Sequence, residues 1–286
     1  MKLLRYGQPG AERPGLLDGN GNIRDLSAVI GDIDGGSLSS DALSAIRRLD
    51  VDRLPIVQGV QRLGSCVARP GKFIAIGLNY ADHAAETKQP IPPEPVVFMK
   101  ATSCLSGPND PIVQPRASTK LDWEVELAFA IGSECRYVTE AEGAAAIAGY
   151  FICNDVSERA FQMERGGQWD KGKGCDSFGP IGPWLVTTDE MKDTGDLHLW
   201  LEVNAHRFQS GSTRTMLFKP DFLVSYLSQF MSLQPGDIVT TGTPPGVGFG
   251  QVPPRYLRVG DTVRLGISGL GEQQQVVVAS DQDVKS

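Results

Sequence analysis

Thirty-three glycines and nineteen prolines in 286 residues cut this chain into short pieces. Proline removes a backbone donor and restricts its predecessor, and glycine pays the largest entropy cost inside a regular element. Many short segments, and a strand-rich fold rather than a helical one, are therefore favoured. The spacing predicts strands at residues 2–6, 13–17 and 22–26, separated by Gly-Gln-Pro-Gly and Asp-Gly-Asn-Gly turns. Further strands are expected at 72–77, 95–100, 111–114, 121–131, 150–153, 182–187, 197–203, 237–240, 262–267 and 275–278. Helices are expected at 41–49, capped by Ser39 or Ser40, and at 139–148, where Thr139 and Glu142 have capping-box spacing. The alanines around 81–86 favour a short helix. An amphipathic helix over 220–231 places Phe222, Tyr226 and Phe230 on one face. The class is α+β, mostly β. Residues 1–65 read as a small N-terminal domain and 70–286 as the domain that carries the chemistry, with 64–71 as the junction.

A net charge of −7 and a pI near 5.1 argue against nucleic acid or an anionic membrane as the main partner. Five cysteines without a C-x-x-C pair read as reduced, mostly buried thiols of a cytoplasmic protein. No signal-peptide core and no apolar run near ~20 residues is present.

The strand at 121–131 is the most informative. Asp122, Glu124 and Glu126 alternate with Trp123, Val125 and Leu127, so the acids share a face. Two glutamates ~7 Å apart repel by about 2 kcal/mol at an effective dielectric of 20. A half-buried strand keeps such a pair only with a compensating cation; an exposed polar face is the alternative. Asp155, at the end of another apolar strand, tips the balance. Three anionic oxygen ligands without a cysteine or histidine cluster select a hard cation, Mg²⁺ or Mn²⁺, with Ca²⁺ also compatible. Three protein ligands leave coordination positions open for substrate.

His83 lies three residues before Glu86, where helical side chains meet. A carboxylate on one imidazole nitrogen orients the ring, so that the other can take a proton from water. A plain helix-surface contact is the bland alternative. Arg159 and Gln162, four and seven residues past Asp155, could look back towards the metal. Lys171 and Lys173 fall in the glycine-rich 169–175 segment, read as a mobile loop that beside an acidic site could meet a substrate carboxylate or an oxyanion. His198 and His206 read as surface residues. The Thr/Gly-rich turn 240–248 lacks the lysine and order of a phosphate loop and instead offers donors to an anionic ligand.

Together, Gly77-Leu78-Asn79-Tyr80-Ala81-Asp82-His83 with Glu86, Val97-Phe98-Met99-Lys100, Asp122-Trp123-Glu124-Val125-Glu126, Asn154-Asp155, Lys173 followed by Phe178-Gly179-Pro180, and Thr240-Thr241-Gly242-Thr243 resemble the fumarylacetoacetate hydrolase family over about residues 70 to 280. The resemblance implies a mixed β-roll catalytic domain and Mg²⁺ or Mn²⁺ on Glu124, Glu126 and Asp155. It implies His83 with Glu86 as a water-activating dyad on a lid, and Arg159, Gln162 and Lys173 as oxyanion and substrate-binding groups. Thr243 matches a substrate-carboxylate contact, and Asn79 and Lys100 lie in matching motifs as further substrate-binding candidates. The implied reaction is hydrolysis of a carbon–carbon bond in an acylpyruvate, a small diketo acid, and the expected assembly is a homodimer. Within the family the chain is most similar to bacterial hydrolases of 2,4-diketo-3-deoxy sugar acids from L-fuconate or L-rhamnonate, which release pyruvate and lactate. Oxaloacetate decarboxylation and ureidoglycolate lyase chemistry on the same metal site are the alternatives. A metal-stabilised binding protein without catalysis is the reading from a different class.

Overall fold

Glycine-closed turns make the first three strands of the computed structural model, which describes residues 1–86 and 90–280. β1 (Lys2–Tyr6), β2 (Arg13–Leu17) and β3 (Ile23–Asp25) form a meander whose second turn folds around Asp18. The Asp18 carboxylate accepts the amides of Asn20 and Asn22, and Gly21 closes the turn at φ +82°, a conformation that suits a residue without Cβ. α1 (Ser40–Arg47) starts at Ser39, whose hydroxyl accepts from the Ala42 amide and so satisfies an orphan donor of the first turn.

β4 (Phe73–Gly77) leads into α2 (Ala81–Glu86) and returns as β5 (Val96–Lys100). β6 (Leu105–Ser106), β7 (Ile112–Gln114) and β8 (Leu121–Asp122) follow, then β9 (Val125–Ile131), α3 (Glu140–Ala146) and β10 (Ile147–Asn154). α3 carries the expected capping box between Thr139 and Glu142. Next come β11 (Ser157–Glu158), α4 (Arg159–Met163), α5 (Asp170–Lys173), β12 (Gly179–Thr187), β13 (His198–Val203) and β14 (His206–Ser212). α6 (Pro220–Leu227), β15 (Ile238–Thr240), β16 (Thr262–Ile267) and β17 (Gly271–Ala279) complete the described chain.

The large sheet runs β3-β2-β1-β12-β10-β9-β15-β4-β5, with β6 added beside β12. It is mixed: β15 is parallel to β4 and β6 to β12, and the other pairs are antiparallel. A second sheet, β14-β13-β16-β17-β7, packs against β9, β10 and β12. Every residue of β9 and β10 is buried, since both faces of the large sheet are covered. The protein is thus mostly β with mixed sheets, as expected. Among the described residues no helix is long and apolar enough to cross a membrane.

Four local differences separate the structure from the sequence reading. The strand expected at 121–131 is interrupted at Trp123 and Glu124, whose backbone leaves the ladder. The segment 169–175 is not a loose loop but contains α5, with Lys173 buried. There Gly172 packs so closely on α4 that a Cβ would meet the Glu158 carbonyl oxygen at 2.4 Å. α6 stops at Leu227 and buries Leu223, Val224 and Leu227. Phe222, Tyr226 and Phe230 do share a face, but they form an aromatic ladder on the outer side, stacked between Phe222 and Tyr226 and edge-on between Tyr226 and Phe230, with Phe230 exposed. β14 was not expected, because His-Arg-Phe-Gln-Ser-Gly-Ser lacks a clear apolar alternation.

Candidate metal and catalytic site

The antiparallel register of β9 and β10 brings the acids together. Glu126 lies opposite Cys153 and Val125 opposite Asn154, and one step further the Asp155 amide donates to the Glu124 carbonyl at 2.9 Å. Residues distant in sequence thus become neighbours at one end of two buried strands. Glu124, Glu126 and Asp155 each present a carboxylate oxygen within 4.8 Å of the others. All three are buried, which removes the exposed-face alternative.

Cations crowd around them. The Lys173 Nζ donates to Glu124 Oε2 at 2.7 Å and Asp155 Oδ2 at 2.6 Å, and Lys100 Nζ donates to Asp155 Oδ1 at 2.5 Å. Arg159 reaches Glu124 Oε1 at 2.6 Å and Asp122 Oδ2 at 2.8 Å. Burial pushes the Glu124 carboxyl up, but the Lys173 and Arg159 charges outweigh it and hold it well below the usual range. Glu126 goes the other way: burial, then the charges of Asp155 and Glu124, push it well above. Its hydrogen bonds come from neutral donors, Thr240 Oγ1 at 2.6 Å and the Gly242 amide at 2.8 Å. Burial of a charge without a counter-ion is strongly unfavourable. The donor set therefore fits a divalent cation. All its ligand atoms are hard oxygens, the carboxylates exceed their local compensation at Glu126, and an ammonium already bridges two of them.

The second constellation closes over the first. His83 Nδ1 and Glu86 Oε2 are 3.1 Å apart on α2, and the Gly246 amide holds the other Glu86 oxygen at 2.9 Å. His83 is buried and lines, with Glu124, Glu126, Asp155, Arg159, Gln162, Lys173 and Thr243, one cavity of about 180 Å³. The Gln162 carbonyl accepts from Arg159 Nη1 at 3.1 Å, which leaves its NH₂ as the donor end.

Two expected contacts are placed differently. Asn79 is fully buried: its amide donates to the carbonyls of Phe218 and Thr241 and accepts from the Phe218 amide. It clamps two loops rather than lining the cavity. Lys100 is also enclosed, donating to Asp155 and to the Lys173 carbonyl. Thr243 lines the cavity, but its hydroxyl donates to the Val125 carbonyl and accepts from Gln209. A single hydroxyl proton is then committed within the protein.

The sequence did not reveal the apolar wall made by Leu78, Phe98, Met163, Trp169, Val247 and Phe249. Its one local signal was Gly77, where a Cβ would meet the Trp169 ring at 2.6 Å. Asp122 was also overlooked as a support. It holds Arg159 and accepts the Gly248 and Phe249 amides.

The expected lid spans 83–95, of which 87–89 lie outside the described residues. α2 is six residues long, and only His83 and Ala84 are buried in it; Ile91 is 60% exposed. Among the described residues of this segment few apolar side chains are buried, and a segment so lightly anchored is expected to open and close over substrate. Hydrogen exchange in peptides covering 83–95 is expected to slow when oxalate, a mimic of the oxo-acid product, is added with the cation. Equal rates with and without oxalate would rule out a lid.

Known proteins resemble this chain in sequence and in fold. Residues 72–278 match the sequence profile described as Fumarylacetoacetate (FAA) hydrolase C-terminal. A Burkholderia multivorans protein provisionally named a hydrolase is 60% identical over 281 residues, covering 98% of this chain and all of its own. The structure of maleylpyruvate hydrolase from Sphingobium sp. SYK-6, in complex with manganese(II) and pyruvate, superposes with a TM-score of 0.82 at 29% identity. It covers 98% of this chain and all of its own. A Mycobacterium abscessus protein provisionally assigned as a 2-hydroxyhepta-2,4-diene-1,7-dioate isomerase superposes at TM-score 0.83 and 32% identity, with the same coverage.

Proposed function

The chain belongs to the fumarylacetoacetate hydrolase family, and from that premise we propose that it hydrolyses the carbon–carbon bond of an acylpyruvate. The observation that carries the reading is one small cavity that gathers a three-carboxylate cluster, a His–Glu dyad and three nitrogen donors. A divalent cation held by Glu124, Glu126 and Asp155, Mg²⁺ or Mn²⁺, would supply Lewis-acid charge at the oxo-acid end of the substrate.

The protein's own groups do the rest. With Nδ1 engaged by Glu86, His83 uses Nε2 to take a proton from water as its oxygen bonds to the 4-oxo carbon. The 4-oxygen becomes an oxyanion, met by the Gln162 NH₂ and by the third Lys173 proton, the other two being committed to Glu124 and Asp155. Arg159 fixes the Gln162 orientation. Collapse of the adduct breaks the bond between carbons 3 and 4. The electron pair moves to carbon 3 as the enolate of pyruvate, which takes up a proton, and carbon 4 leaves as a second carboxylic acid.

Within this class we favour 2,4-diketo-3-deoxy-L-fuconate or L-rhamnonate, giving pyruvate and lactate. A cavity of about 180 Å³ is below the usual range for larger ligands and suits a six-carbon acid. Its polar floor would pair with a hydroxyl on carbon 5, and its apolar wall with a terminal methyl. Polar groups left unpaired by an all-apolar tail cost binding. The expected result is a higher kcat/KM for the six-carbon diketo sugar acid than for an apolar acylpyruvate of similar length. A clear preference for the apolar compound would remove the sugar acid and leave the hydrolase standing. Oxaloacetate decarboxylation or ureidoglycolate cleavage on the same site would instead yield CO₂ or urea.

A further inference from the structure

Where the metal-site strand breaks, three consecutive backbone donors lose their ladder partners and buried side chains take them. The Trp123 amide goes to Asp122 Oδ1 at 2.8 Å, the Glu124 amide to Asn154 Oδ1 at 3.1 Å, and the Val125 amide to Gln209 Oε1 at 3.0 Å. Side-chain acceptors thus fix the main chain that carries Glu124, since buried N–H groups are rarely left unpaired.

The Asn154 arm does not end there. Asn154 Nδ2 donates to Gln275 Oε1 at 3.1 Å, and Gln275 Nε2 donates to Gln273 Oε1 at 2.9 Å and to the Pro108 carbonyl at 2.5 Å. Gln273 Nε2 is anchored on the carbonyls of Ile152 at 2.9 Å and Gly182 at 3.0 Å. Both ends dictate the same direction. Two carbonyls at Gln273 accept only the NH₂ end, and the Glu124 amide at the other end requires the Asn154 oxygen. Every amide between them is then oriented, and each bond polarises the next.

The placement is costly unless it has a use. Gln273, Gln275 and Val277 share the inward face of β17, with Glu272, Gln274 and Val276 outside. Gln273 and Gln275 are 1% and 0% exposed, at positions where an amphipathic strand ordinarily buries aliphatic side chains.

We propose that Gln273 and Gln275 are positioning residues. Through Asn154 they fix the Glu124 backbone from the second sheet and thereby set the geometry of the cation site. The inference rests on the metal reading for its functional consequence, but not for the relay itself.

The test uses Gln275→Leu, of similar shape, and Val277→Ala, which disturbs the same strand face outside the relay. In the cation-free protein, the Glu124 amide is expected to exchange at least tenfold faster in Gln275→Leu, while the Phe129 amide in β9 keeps its rate. Calorimetric Mn²⁺ affinity is expected to fall on the order of 10–100-fold, the usual effect of losing an outer partner of a ligand. Val277→Ala is expected to lower Tm with unchanged Mn²⁺ affinity and Glu124 exchange. Unchanged exchange at Glu124 in Gln275→Leu would overturn the relay; so would equal affinity losses in both variants. If Gln275→Leu does not fold, Gln273→Leu breaks the next link and is read by the same criteria. Failure of the unaltered protein to bind Mn²⁺ would count against the metal site instead, and the exchange measurement would still decide the relay.

Discussion

Glu126→Gln and Asp155→Asn are each expected to weaken cation binding by more than about 100-fold, beyond the loss caused by even an outer-shell partner, and to abolish turnover with it. A ligand carboxylate replaced by an amide keeps its shape and loses the anionic oxygen that a hard cation needs. The two variants should part company in stability when no cation is added. Glu126 is a buried carboxylate whose hydrogen-bond donors are neutral and whose neighbours Asp155 and Glu124 repel it. Removing its charge relieves that repulsion, so Tm of the cation-free Glu126→Gln protein should not fall. Asp155 balances two buried ammonium groups, Lys100 and Lys173. Neutralising it leaves them undercompensated, a defect of about 3–5 kcal/mol when a buried pair is broken, so Asp155→Asn should lower Tm clearly. Calorimetry finds the first effect and thermal unfolding the second. Unchanged Mg²⁺ or Mn²⁺ affinity in either variant would remove these carboxylates as ligands.

His83→Ala should behave differently. The ring lies outside the ligand set and is tied to Glu86, so cation affinity should stay close to that of the unaltered protein. Hydrolytic turnover should fall by a factor on the order of 10²–10⁴, the usual contribution of a positioned general base. Glu86→Gln should follow with a smaller loss, because the oriented imidazole remains while its imidazolium form loses a counter-charge. Full turnover by purified His83→Ala would make the dyad a structural contact.

The parts of this site that were legible in the sequence are those encoded locally. Alternation exposed Glu124 and Glu126, the i,i+3 spacing exposed His83 and Glu86, and the capping box at Thr139 marked the start of α3. What escaped depended on pairing between distant segments. Lys173 is legible as an oxyanion candidate, but its burial in α5 is not, because the carboxylates that draw it inward, Glu124 and Asp155, lie 49 and 18 residues away. The strand expected at 275–278 says nothing of Gln273 and Gln275 as inward residues, since only the register of the second sheet shows which face of β17 is inside. Asn79 and Lys100 sat in motifs that suggested substrate contact, and their hydrogen bonds instead join loop to loop and ligand to backbone. Apart from Gly77 beneath the Trp169 ring, the wall formed by Phe98, Trp169 and Phe249 has no signature along the chain, because its members come from three separate segments.

Product stoichiometry separates acylpyruvate hydrolysis from decarboxylation, lyase cleavage and isomerisation. The chelator-treated protein, resupplied with Mn²⁺, is offered the six-carbon diketo sugar acid and a simple acylpyruvate, and all products are quantified. One pyruvate and one second carboxylic acid are expected per substrate consumed, with no CO₂ or urea and no turnover until the cation is restored. Turnover that persists without the cation, CO₂ as the product, or an isomer with the carbon skeleton intact would contradict cation-dependent acylpyruvate hydrolysis.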